Sequence, residues 1–274
     1  MRSKTIALFL ALGMAASVTA CAANEAPEGG EGTEATPGVE QTTPEATPGA
    51  TETPEAGEGG EGGAAKPATA APAQGGEGGE EMSAGEKANA EFKDKLSGSA
   101  LLSALQKGGH IIYFRHAQTE KDYADQADPK MKLGNCETQR KLNAVGIQQS
   151  KDIGSAFTAK KIPVGQVITS EYCRAWKTAN LAFGRHQKNP KLNFLPFEDY
   201  TDAQVEEMKA NVMPFLTAVP KAGKNTVIVG HDDIFEAGTG IYPAPQGMAY
   251  VLTPDGKGGF TIQANLLPED WAKL

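Results

Sequence analysis

Residues 22 to 86 cannot build a hydrophobic core, and this confines every folded element of the 274-residue chain to its last 188 positions. The segment is almost wholly Gly, Glu, Pro, Thr and Ala, with ATPG starting at Ala35 and Ala46 and TPEA at Thr43 and Thr53. Such a composition buries too little apolar surface to offset the entropy of ordering, so a disordered tether is expected over 21–86. As a flexible coil it would span roughly 40 to 50 Å root mean square. It carries fourteen Glu against Lys66 alone, so the whole-chain charge of −8 misrepresents the remainder: residues 87–274 carry +3. A mildly basic domain suits an anionic ligand. It has no basic run or aromatic platform, which argues against nucleic acid as a partner.

At the start, Arg2 and Lys4 precede an apolar run from Ile6 to Val18, the order of a secretory signal peptide. The run is too short and too rich in Ala and Gly for a membrane-spanning helix. Val18-Thr19-Ala20-Cys21 resembles the lipobox of bacterial lipoproteins. That resemblance implies a signal peptide over 1–20 and acylation (palmitate) of Cys21. It also implies an extracytoplasmic protein whose partner is the bilayer, through that anchor. Ala22 lacks the Asp that often retains lipoproteins in an inner membrane, so the outer membrane is expected in a two-membrane bacterium. In a one-membrane organism the expectation is the outer face of the cell membrane. With Cys21 acylated, Cys136 and Cys173 remain as candidates for one disulfide in an oxidising compartment.

Residues 87–274 are a normal length for one domain. Phe92, Leu96, Leu101, Leu102 and Leu105 predict a helix over Glu91 to Gln106, ended by Gly108-Gly109. The β-favouring runs Ile111 to Phe114, Val167 to Thr169 and Val227 to Val229 predict strands. Between them, Ala144, Ile147, Gly154 and Phe157 mark one helix, with small residues allowing close approach to a sheet. Ala175, Ala179 and Ala182 mark a second helix. Val205, Met208, Val212, Phe215 and Val219 mark the core face of a third, which Pro214 should kink or split. Helices alternating with buried strands imply an α/β fold with a mostly parallel sheet. In such sheets ligands bind beyond the carboxyl ends of the strands.

Of four histidines, His116 and His231 follow apolar strands at those ends. His110 precedes its strand and His186 lies in a polar loop, so both read as structural or solvated. Tyr113-Phe114-Arg115-His116-Ala117-Gln118-Thr119, then Thr169 to Ala179 with Tyr172-Cys173-Arg174-Ala175 inside it, then Val229-Gly230-His231-Asp232 follow in order. Together they resemble the motifs of the histidine phosphatase superfamily, whose relatives include phosphoglycerate mutases and acid phosphatases. The resemblance covers residues 109 to 262, including the segment Cys136-Glu137-Thr138-Gln139-Arg140-Lys141-Leu142. It implies a phosphoglycerate mutase-like three-layer sandwich with helices flanking the central sheet.

The resemblance further implies a metal-independent phosphomonoesterase acting on a small phosphorylated substrate outside the cytoplasm, with no cofactor. His116 would be the nucleophile, forming phosphohistidine, and its other ring nitrogen should donate to a backbone carbonyl to fix the tautomer. Arg115, Arg174 and His231 would hold the phosphoryl oxygens. Asp232 is the first choice of general acid, with Glu198 and Asp199 as alternatives. A disulfide between Cys136 and Cys173 would bring Arg140 to the pocket rim, either to bind a second substrate anion or merely to pair with a surface carboxylate. Glu171, Lys177 and Met248 depart from the family's pattern, and Met248 is expected to alter the pocket wall. His231-Asp232-Asp233 offers metal ligands only superficially, because adjacent residues at a strand end rarely converge on one ion. The alternative function is an anion-binding envelope module, weakly active or inactive, on the same fold.

Overall fold

The computed structural model describes residues 81–120, 130–195 and 199–274. The signal peptide, Cys21, most of the tether and Glu198 lie outside the described residues. The folded part begins slightly before the expected boundary at 87. Helix α1 (Ala84–Ala90) starts inside the stretch read as tether because Ser83 and Glu86 close a reciprocal capping box. Gly85 is buried, and its carbonyl accepts from Tyr242 N–H at 3.1 Å.

Six strands form one mixed sheet: β1 (Ile111–Arg115), β2 (Val164–Thr169), β3 (Gln187–Lys188), β4 (Asn225–Gly230), β5 (Ala249–Pro254) and β6 (Phe260–Leu266). Their order is β3-β2-β4-β1-β5-β6. The first four are parallel, while β5 pairs antiparallel with β1 and β6 antiparallel with β5. Every residue of β1 and β4 is buried, as expected of strands covered on both faces. Their side chains alternate between two core clusters. Ile112, Phe114, Val227 and Val229 point into one, with Ile153 and Phe157 of helix α3 (Ala144–Ala159), Ala175 and Ala179 of helix α4 (Cys173–Phe183), and Trp271. Ile111, Tyr113 and Ile228 point into the other, with Met208 and Val212 of helix α5 (Asp202–Leu216) and Ile234 and Phe235 of helix α6 (Asp232–Thr239). The result is the expected α/β architecture, a sheet with helices on both faces.

Four local expectations are corrected. The helix expected from Glu91 forms only over Gly98–Lys107, here α2. Residues just before it run along edge strand β6 instead, where Lys95 and Leu96 N–H both donate to Gln263 O and Asp94 accepts from Asn265 N–H. Val219 lies beyond the end of α5 and is 67% exposed, so the core face of that helix is Met208, Val212 and Leu216. Pro214 does not split α5, which runs on to Leu216; lying in the last turn, it has only two helical residues beyond it to disturb. The glycines of α3 approach neighbours other than the sheet. A Cβ on Gly154 would meet Ala182 O of α4 at 2.1 Å, and one on Gly146 would meet Gln118 O, in the loop after β1, at 2.0 Å.

Candidate active site

Three adjacent parallel strands, β2, β4 and β1, release their chains at the same edge of the sheet, and the residues that follow them converge there. His116 follows β1 and is fully buried, its backbone N–H bonded to Gly230 O of β4 at 3.0 Å. His231 follows β4 and is 1% exposed. The two imidazole centroids are 5.5 Å apart, with ring planes at 62°.

His116 Nδ1 donates to its neighbour's carbonyl, Ala117 O, at 2.9 Å. This leaves the lone pair on Nε2, the tautomer expected of a nucleophile. Two guanidiniums meet that lone pair: Arg174 Nε donates at 3.2 Å, and Arg140 Nη2 lies 3.3 Å away. Burial, then the charges of Arg174 and its neighbours, hold the His116 pKa well below the ordinary imidazole value. The ring is therefore neutral at physiological pH. Thr178 anchors it from behind, accepting from Ala117 N–H at 3.1 Å while its hydroxyl donates to Arg174 O at 2.8 Å.

His231 is held through its backbone and its ring. The Tyr113 hydroxyl donates to His231 O at 2.7 Å and accepts from His231 N–H at 3.0 Å. Ser170 Oγ, directly after β2, lies 2.7 Å from His231 Nε2. Nδ1 has no hydrogen-bond partner among the described residues. Burial and then Arg174 also keep this imidazole neutral. Behind it stand Tyr172 and Phe194, stacked at 4.5 Å and edge-on to His231 at 5.0 and 4.6 Å. The Arg174 guanidinium lies 4.8 Å from the Tyr172 ring, so one aromatic pair braces both a cation and an imidazole.

Arg115 is buried at the site but already engaged. Its Nη1 donates to Pro243 O at 3.0 Å and its Nη2 pairs with Asp232 Oδ2 at 2.6 Å. The same Oδ2 accepts from the Tyr242 hydroxyl at 2.6 Å. Asp232 is thus held by an ion pair and a hydrogen bond rather than standing free. The next residue, Asp233, has its carboxyl pushed up to about 7 by burial and then by the Asp232 charge. Asp199 is exposed.

Arg140, expected at the pocket rim, is buried instead, and its Nη2 lies 3.3 Å from the same His116 nitrogen that Arg174 Nε meets, a place that suits the anion-binding role read for it. The Cys136–Cys173 disulfide is present. Of the residues that depart from the family pattern, Glu171 exchanges hydrogen bonds with the Asn193 side chain, Lys177 lies over the Trp176 ring, and Met248 is buried in the second core cluster. His110 sits at the far end of β1 beside Thr253, and His186 stacks on Trp176; neither reaches the site.

Sequence reading missed Tyr113, Gln139, Ser170 and Thr178 as supports. Ser170 had a usable signal, being a hydroxyl directly beyond a parallel strand, whereas the others bond across elements remote in sequence. Two guanidiniums meet the buried Nε2 of His116, with the neutral His231 ring beside it and Arg115 near enough to help lower its pKa, a cationic setting suited to an anion.

Residues 111–216 match the histidine phosphatase superfamily (branch 1). The matched region takes in His116, Arg140 and Arg174, and His231 lies downstream of it. No curated protein matches the chain. Among solved structures, it is similar to the protein histidine phosphatase SixA complexed with tungstate, at 15% identity over 59% of this chain and 98% of that one, with a TM-score of 0.43. Phosphoserine phosphatase of Entamoeba histolytica in complex with 3-phosphoglyceric acid is 15% identical over 57% and 95%, with a TM-score of 0.43. An alpha-ribazole-5'-P phosphatase assigned in Escherichia coli is 18% identical over 59% and 98%, with a TM-score of 0.42.

Proposed function

We propose that this histidine phosphatase-like domain is a metal-independent phosphomonoesterase that works through phosphohistidine at His116, on a small phosphorylated substrate outside the cytoplasm. The observation that carries this reading is the His116 ring: Nδ1–H is committed to Ala117 O, and Nε2 presents its lone pair between Arg140 and Arg174. A phosphate monoester entering there would exchange the guanidinium–imidazole contacts for guanidinium–oxygen ones. Nε2 then attacks phosphorus in line as the P–O bond to the leaving group breaks. Water later attacks the phosphohistidine, releasing phosphate and restoring Nε2. His231, its Nε2 turned to Ser170, would donate from Nδ1 to a phosphoryl oxygen. Asp232, paired with Arg115 at 2.6 Å, is the first choice to protonate the leaving alkoxide, and its neighbour Asp233, with a carboxyl pushed up to about 7, is the alternative.

Hydrolysis of p-nitrophenyl phosphate and a panel of phosphorylated sugars and nucleotides by the full chain, with EDTA present, tests the reading. Turnover should vanish in His116→Ala and survive the chelator. Bound phosphate without any turnover would replace the enzyme with an anion-binding module, and loss of turnover in EDTA with rescue by a divalent metal would overturn the mechanism.

A further inference from the structure

Each of the two arginines on His116 Nε2 is preceded by a residue that is bonded to the other's predecessor. Gln139 comes before Arg140 and Cys173 before Arg174, and Gln139 Oε1 accepts the Cys173 backbone N–H at 2.8 Å. Gln139 Nε2 donates to Lys132 O and Leu133 O at 2.9 and 3.0 Å, closing the turn that leads to Arg140. Thr138 closes the same turn, accepting from Lys132 N–H at 2.9 Å. The disulfide from Cys136 to Cys173 then pins this turn to the first residue of α4, with Cα atoms 5.6 Å apart. Lys130, Lys132, Gly134, Asn135 and Glu137 of the turn face solvent, while Met131 and Leu133 pack against the second core cluster. Gln139 itself is 5% exposed.

A free Arg side chain loses about 2 kcal/mol of rotamer entropy when fixed, and a loose backbone beneath it adds to that cost. Loop closure alone would act equally well from any pair of positions of similar separation. Here the crosslink lies where it fixes two guanidiniums relative to each other. We propose that the Cys136–Cys173 disulfide and Gln139 are positioning elements that set Arg140 beside Arg174 on one phosphoryl group, so that the anion site is complete only in the crosslinked chain. The inference rests on the phosphoryl-site reading above.

Calorimetric titration of inorganic phosphate into the full chain tests it, with thermal unfolding recorded for each variant to show that it is folded. Removing the bond with Cys136→Ser plus Cys173→Ser should weaken phosphate binding roughly tenfold, the scale of one charge-assisted contact. In an Arg140→Ala background the same removal should change binding less than about twofold, because interacting groups are not additive. Gln139→Ala, with the bond intact, should show the same dependence on Arg140 and serves if the serine pair does not fold. Equal losses in both backgrounds, or no loss in either, would overturn the proposal and leave the disulfide a stabiliser of the fold. A bonded, unaltered chain that binds no phosphate would instead overturn the phosphoryl-site reading, and this inference with it. Phosphate binding that needs the bond, without turnover of any ester, would sustain the inference while removing the catalytic reading.

Discussion

A methyl group on Gly230 would sit 2.2 Å from the Tyr113 hydroxyl, the group that both donates to and accepts from the backbone of His231. Strand β4 therefore ends on a glycine for reasons of space. Tyr113→Phe should leave the buried His231 N–H unpaired and its carbonyl with only the long bond from Phe235 N–H at 3.4 Å, lowering stability by about 1–3 kcal/mol and activity with it. Gly230→Ala should cost more in the parent than in the Tyr113→Phe background, where the colliding oxygen is gone; urea unfolding of the two singles and the double checks this. The ionisable residues set the pH profile. Neutral His116 is the attacking form, and its depressed pKa keeps it so, hence kcat/KM should hold as pH falls through 6.5. If Asp233 is the donor it acts only while protonated, and turnover of an alkyl phosphate should then fall above about 7. Asp233→Asn should abolish that descending limb and slow the alkyl ester roughly 100-fold or more, with a much smaller effect on p-nitrophenyl phosphate. If Asp232→Asn removes the limb instead, the proton donor is Asp232.

At the scale of elements, β3, β5, β6, α1 and α6 went unread, β3 being only Gln187–Lys188. Strands β1, β2 and β4 were legible as short apolar runs, and α3, α4 and α5 from small and apolar residues recurring with a helical period, although Ala144 and Ile147 of α3 are exposed. The segment before α2 was not legible, since periodicity cannot register a competing edge strand: Phe92 and Leu96 keep helical spacing, but the backbone carbonyl of Gln263 claims the N–H groups of Lys95 and Leu96. The close approach of α3 was visible in Gly154, and only its target was misread; Gly146 adds a second. Gly146→Ala should push against the Gln118 backbone directly beyond the nucleophile and destabilise by about 1–3 kcal/mol. The drop in kcat should exceed that of Gly154→Ala, whose collision is with α4 away from His116. The disulfide also belongs to this scale. Its 37-residue separation corresponds to about 4 kcal/mol of unfolded-chain entropy, so reduction should lower the unfolding midpoint markedly even in Arg140→Ala.

Over the whole molecule, composition set an expected tether, which lies largely outside the described residues, apart from the domain, and strand order placed both histidines at one edge of the sheet. The supporting shell escaped because it is made of contacts between parts far apart in sequence, such as Ser170 with His231 and Thr178 with Ala117. The proposed anchorage has its own test: Cys21→Ser should move the protein from the membrane fraction to the soluble one and abolish incorporation of labelled palmitate. The order of strands in the sheet also governs when activity can arise. Both neighbours of β1 are encoded after it, β4 on one side and β5 on the other, although β1 is the first strand made. A chain still being synthesised or translocated holds the nucleophile strand with neither flank in place and without its second histidine. The hydrolysis proposed for this site would thus begin only once the C-terminal quarter had arrived.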